Sequence, residues 1–500
     1  MKVACFDRAT VGVDTLAQLN AFCVVDAAGP FQDGDLHFAR VVLEAGCHYV
    51  DLADARLFLQ RFSTLDDLAK RKGLAAVSGA SSTPALSMAA LSSLTTHWRR
   101  VDSVETAIYP SGRATLGASV VRAILSYAGQ PIRVLCFGRW GTEPGWGLLS
   151  RRHVTGLGNR FLSLVETPDL DLVSERYPSV RRNLFFAGVE LSVMHLGLWC
   201  LSQLVRYRAV TSLLALASPL HALVSLLSRL GSDTGGMTVA ATGVDSGGKY
   251  VRAEWAMIAR SGDGPQVPAL PALCVVRGLV LGSISTRGAI ACVDVVPLAD
   301  MEAQFLRFAI SSHQNVIALK PEALFKRIGV GFEAMPIAVQ TVHSPEPASE
   351  MNGEVDVKAG SNWLSRLVAR VAGFPVRDSI CAAEVTIDRC GEEEVWIRRF
   401  GDHSFQSYLS AGSDQGLVCE KFGPISISMM LNMDYTGFSL SIVGWSIWGL
   451  PLPRFLAPTT TAQASSDSEG RYRFDTLINW PPVGRLVHYR GWLVPATLAR

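Results

Sequence analysis

The chain has 500 residues, 49% hydrophobic and 18% charged, so it is long enough for roughly three domains and too apolar to remain disordered. Its 46 Lys and Arg against 44 Asp and Glu leave a net +2, which excludes the dense positive field of a dedicated nucleic-acid binder. A mean hydropathy of +0.24 is high for a soluble chain and makes membrane contact a reading to test.

Residues 1–8 lack the apolar run and small-residue cleavage site of a signal peptide. None of the ten cysteines forms a C-x-x-C pair, and most sit in apolar runs such as Phe22-Cys23-Val24-Val25, where a thiol behaves as a small buried hydrophobe. The expectations are reduced cysteines, no metal site and a cytoplasmic location, with membrane association as the variant.

In chain order, residues 21–27 read as a buried strand ending at Ala28-Gly29-Pro30. A helix over 36–45 stops at Gly46, and a second strand covers 48–52. A helix over 57–72 ends at Gly73, a strand follows at 74–78, and Ser82 or Thr83 caps a helix with Pro84 in its first turn. Strict alternation of strand and helix predicts a doubly wound α/β sheet. Residues 101–109 and 134–137 are strands, and 116–128 is a helix ended by Gly129.

Two apolar helical stretches follow within 185–230, flanked by Arg206, Arg208 and Arg229, and they read as a buried helical pair, with a membrane span and an interfacial hairpin as the alternatives. The glycine-rich run 231–237 precedes two strands joined at Asp245-Ser246-Gly247-Gly248, so it reads as part of a β-hairpin and not as a phosphate loop. Residues 269–282 form an apolar helix, and Gly288 opens another strand. Residues 344–350 form a polar loop and 363–372 a helix. Short alternating strands at 394–400, 404–409, 417–422, 425–433, 439–447 and 471–478 predict an antiparallel sheet or partly closed barrel.

Ala27-Ala28-Gly29-Pro30-Phe31, then His48-Tyr49-Val50-Asp51, then Ser78-Gly79-Ala80-Ser81-Ser82-Thr83-Pro84, in this order, resemble the saccharopine dehydrogenase-like oxidoreductases. The resemblance extends with gaps to about residue 320. It implies an NAD(P)-dependent oxidoreductase acting on a C–N or C=C bond of a small or lipid-like substrate. It places Asp7, Ala28, Gly29, Pro30, Phe31 and Ser78 beside the cofactor, and His48, Asp51 and Asp54 around the chemistry. The alternative for Asp51 and Asp54 is that they cap the turn or the helix beginning near residue 57.

One part of the family pattern is missing. No G-x-G-x-x-G loop precedes Ala27, and 3–7 aligns with the family's third strand, so the first two βα units have no counterpart. The sequence thus reads as an incomplete Rossmann-like sheet, from a late start or in a degenerate relative. Weak or absent NADPH binding is expected of it.

Residues 322–500 resemble a family of uncharacterised domains known as fusion partners of such oxidoreductases, through His343, Gly353-Glu354, Trp396 to Phe400, Glu420 to Pro424 and Tyr489 to Trp492. The expected organisation is 1–100 partial dinucleotide-binding domain, 101–321 α/β substrate domain, and 322–500 β-rich α+β domain. A competing reading is a non-catalytic binding or membrane-associated scaffold protein. The expected partners are a small or lipid-like substrate, a membrane surface in peripheral contact and a second copy in a homo-oligomer, with no nucleic acid.

Overall fold

The computed structural model describes residues 5–496 except 33, 115–116, 137, 320–322, 330, 344–347, 391–392, 413, 423–424 and 448–449. It divides into two units, 1–317 and 318–500, each described by itself. The expected boundary at 322, part of the polar loop at 344–350 and the Gly423-Pro424 pair lie outside the described residues.

The first unit contains a parallel sheet in the order Cys23–Asp26, His48–Asp51, Ala75–Ser78, Gly288–Ala291. These strands are short and mostly buried because apolar side chains leave both faces. Tyr49 and Ala76 enter one core, with the helices His37–Glu44, Arg56–Phe62 and Asp66–Lys72. Val50 and Val77 enter another, with the helices Ser87–Leu94 and Ala269–Leu281. Helix 66–72 ends where Gly73 turns to φ +67, a left-handed conformation that glycine adopts without Cβ strain.

Three local expectations are corrected. Cys5–Asp7 is not a strand, because Asp7 instead starts a turn in which its carboxylate accepts from Ala9 N at 2.9 Å; residues 3 and 4 lie outside the described residues. Neither Ser82 nor Thr83 caps a helix: Thr83 stays extended (φ −130°, ψ 130°), and Ser87 Oγ donates to Pro84 O at 3.0 Å. The helix 56–62 has no side-chain cap, so neither Asp51 nor Asp54 caps it, whereas Asp51 does bond the turn before it, its Oδ1 accepting from Ala53 N at 3.0 Å.

A larger mixed sheet has the order Ile310–Ala318, Tyr250–Ala259, Gly235–Val244, Arg100–Tyr109, Arg182–Ala187, Pro131–Cys136, Arg139–Pro144; all of these strands but Ile310–Ala318, which follows the fourth parallel strand, lie between the third and fourth parallel strands in sequence. The glycine-rich run does lead into an antiparallel hairpin, 235–244 with 250–259. The helices Ser192–Arg206 and Ala217–Leu227 are not a buried pair. Only His195, Ser202 and Val205 of the first and Ala217 of the second are buried, and the second packs on Ala118–Tyr127. Among the described residues one helical stretch, 264–281, is long and apolar enough to cross a membrane, and seven residues of its helix belong to the buried interior.

In the second unit, ten antiparallel strands close a ring among the described residues. Its order is Ala348–Ala359, Gly484–Pro495, Tyr472–Trp480, Thr459–Ser466, Gly437–Ile447, Ile425–Asp434, Leu417–Phe422, His403–Ala411, Glu393–Phe400 and Ser379–Cys390, which returns to the first. Closure removes the raw edges an open sheet would expose. The polar segment expected as a loop enters the strand 348–359. The helix Trp363–Val371 begins with a capping box, Asn362 Oδ1 accepting from Ser365 N and Ser365 Oγ from Asn362 N.

Candidate functional site

The carboxyl ends of the parallel strands carry Asp26, Asp51 and Ser78. Asp51 is wholly buried; its Oδ1 accepts from Ser78 Oγ (2.9 Å), Gly79 N (2.7 Å) and Ala53 N (3.0 Å). Its Oδ2 has no hydrogen-bond partner. Burial pushes the carboxyl up to about 7 against the pull of the three hydrogen bonds, so Asp51 is largely neutral in mildly acidic solution. Gly79 is required here: at φ +77, its Cβ would stand 2.6 Å from Pro84 Cδ.

Just beyond the strand, the exposed Asp54 accepts from Gln32 Nε2 at 3.2 Å. The protein around it raises its carboxyl above the usual range. Glu166 is raised by burial too, partly offset by the Arg56 guanidinium. The Tyr127 phenol, raised by burial, is raised further by the charges of Asp54 and Glu166. Arg56 forms a buried bidentate pair with Asp171, which also accepts from Gln60 Nε2 at 2.8 Å. Asp169, buried and bonded by Ser87 Oγ, is pushed up to about 6 by burial. The Tyr127 phenol thus lies within electrostatic reach of Asp54 and Glu166, and Asp54 follows the carboxyl end of the strand 48–51, the edge where ligands of open α/β sheets gather.

His48 is not part of this group. It opens its strand, so it lies at the opposite end from Asp51, and its Nδ1 accepts from Ala75 N at 2.9 Å. Burial and Arg287 lower its basicity, and its bond to Ala75 ties two strands together. Ser78 spends its hydroxyl on Asp51. His195 is a buried residue bonded to Ser163 Oγ at 2.9 Å, lowered to about 3 by burial. Tyr127 and Glu166 were invisible to pattern reading, because only the fold brings residues so far apart in sequence to Asp54.

The turn 27–30 is exposed and Phe31 is buried against Phe58. Beside it a recess is lined by Arg8, Asp26, Asp35, His37, Tyr49 and Phe58. A pyrophosphate needs converging N–H donors and positive potential. Here Arg8 is bound to Asp26 (3.0 Å) and to Ala28 O, Ala28 N is taken by Asp26 (3.0 Å), and Asp35 adds another carboxylate. A Cβ on Gly29 would meet only Phe31, at 3.8 Å, so no close cradle exists at that glycine. The described residues therefore do not fit the pyrophosphate of a dinucleotide. Asp7 stands exposed in its turn. No group of three metal-ligating side chains occurs among the described residues.

Inside the barrel, aromatic and aliphatic side chains surround about 850 Å³ of space, part of it open to solvent. Arg398 projects inward, donating to Ser407 Oγ at 2.8 Å and to Glu420 Oε1 at 3.4 Å, while Arg399 points out toward Glu384. Trp396 and Glu420 line this space. His343 is buried beside it, stacked on Phe325 at 4.2 Å with neither ring nitrogen hydrogen-bonded.

Residues 335–493 match a family described as a domain of unknown function, DUF4166. No curated protein matches the chain. Among solved structures, the chain is similar to apo saccharopine dehydrogenase (L-Glu forming) from Saccharomyces cerevisiae, at 9% identity and TM-score 0.45, over 63% of this chain and 88% of that one. It is also similar to a DUF3598 protein of unknown function from Nostoc punctiforme, at 8% identity and TM-score 0.21, over 53% and 84%. A dehydrogenase from Clostridium difficile matches at 10% identity and TM-score 0.23, over 59% and 80%.

Proposed function

We propose that the α/β unit is the substrate- and proton-handling part of an oxidoreductase of the saccharopine dehydrogenase-like type, acting on a C–N or C=C bond. The observation that carries this reading is Asp54, exposed just past the carboxyl end of the strand 48–51, within electrostatic reach of the Tyr127 phenol on which Glu166 also acts. Asp54, on the exposed rim, gives or takes the substrate proton. Asp54 and Glu166 act on the Tyr127 phenol, and the Arg56 guanidinium, held by Asp171, offsets the burial of Glu166. NAD(P), the hydride carrier implied by the family motifs, lacks a phosphate cradle among the described residues.

That misfit favours a second reading, a binding protein without redox chemistry. Titration of the full chain with NADPH separates the two. The oxidoreductase reading expects a saturable signal, with Kd on the order of 0.1–1 mM, about 4–5.5 kcal/mol. It also expects NADPH oxidation with a panel of small imines and enones, cut roughly 10²–10⁴-fold by Asp54→Asn while NADPH binding persists. Absence of any NADPH signal to several millimolar sinks the oxidoreductase reading and leaves the binding protein.

A further inference from the structure

We infer that the helical segment 191–230 docks the protein on an anionic phospholipid surface. The helix 192–206 presents Val193, Gly197, Cys200 and Leu204 to solvent, and the stretch 217–230 presents Pro219, Leu223, Leu226 and Leu230. Both sets step by four, three and four residues, the spacing that places side chains on one helical stripe. A globular helix ordinarily turns such a stripe into the core. Here Val193 is 70% exposed, Leu226 63% and Leu230 74%, and Tyr207 in the connection is 63% exposed. The buried residues of these helices, among them His195, Ser202 and Val205, anchor the opposite side.

Charge selects the occupant. Residues 191–230 contain no Asp or Glu, and their only Lys or Arg residues are Arg206, Arg208 and Arg229, all exposed beside the apolar stripes. Apolar side chains entering the headgroup boundary with arginines at its level are the pattern of an interfacial helix on anionic lipid. A second copy of the chain fits worse. A two-fold contact through this face would bring the same arginines together with no carboxylate of the segment to neutralise them.

The test is flotation of the full chain with phosphatidylcholine vesicles, with and without 30% phosphatidylserine (about a third anionic lipid, chosen to set a strong surface potential). Binding is expected on the anionic vesicles and to be at least tenfold weaker on the neutral ones. Combined Leu223→Glu, Leu226→Glu and Leu230→Glu should abolish it with the thermal transition unchanged, since these side chains stand in solvent. Changing Arg206, Arg208 and Arg229 to Gln should cost roughly fivefold per residue at low salt and flatten the salt dependence. No binding to anionic vesicles by the folded chain overturns the inference. So does binding that the leucine variant retains, or a dimer in light scattering that the leucine variant dissociates.

Discussion

The core of the parallel sheet and the core of the barrel each bury an ionisable group with unsatisfied atoms, and they do so with opposite chemistry. In the sheet Asp51 is raised to about 7 by burial; beside the barrel interior His343 is lowered to about 4, again by burial. Low-dielectric surroundings disfavour charge of either sign, so the acid is held protonated and the base unprotonated. The consequence for stability runs in opposite directions. Between pH 4 and 7 folded Asp51 holds a proton that the unfolded chain has released, so its contribution is present below the unfolded carboxyl range and is lost as pH rises through about 7. For His343 the unfolded chain takes up a proton below about 6.5 that the folded state refuses, so stability is lost as pH falls from there toward 4.

The most severe break in this comparison is Asp171→Ala. It strands the buried Arg56 guanidinium and should cost the α/β unit about 3–5 kcal/mol, read as an early urea transition of that unit with the barrel transition in place. Asp51→Asn is nearly isosteric, keeps an acceptor for Ser78, Gly79 and Ala53, and cannot ionise. The advantage of that variant over the parent should grow by about 2–3 kcal/mol between pH 5 and pH 8, in chemical denaturation of the α/β unit at each pH. A variant equally stable relative to the parent at both pH values would show that Asp51 does not titrate as its burial demands. The smallest effect is expected from His343→Leu. It should change the barrel by less than about 1 kcal/mol at pH 7 and stabilise it by about 1–2 kcal/mol at pH 5, because the substitution removes the group that must stay unprotonated.

Much of the α/β unit was legible because its strands and helices are punctuated by residues with one structural meaning. Gly46 and Gly73 end helices in the left-handed region, and the short apolar runs at Cys23–Asp26, His48–Asp51 and Ala75–Ser78 are too brief for helices. What escaped is what depends on the third dimension. The run Thr459–Ser466 has no large apolar side chain to announce a strand, yet pairing on both sides makes it one. The apolarity of 191–230 was plain, but composition carries no direction, and the stripes face solvent. His48 and Asp51, three residues apart, looked like one constellation, although a strand of that length separates them to opposite edges of the sheet. Glu166 and Tyr127 reach Asp54 only through the mixed sheet and its connections.

In the barrel, Met351–Ala359 pairs with Val487–Pro495, so the first and last strands of the ring are immediate neighbours. The order in which the chain visits the ring is then a matter of where it is cut, not of how it is packed. A short polar linker from the end of the last strand to the start of the first, with new termini opened in the exposed turn at Ser468–Gly470, would leave every strand pairing intact. Such a permuted barrel should fold to the same ring. The unchanged pairings would show that circular closure holds this unit together irrespective of the order of its strands.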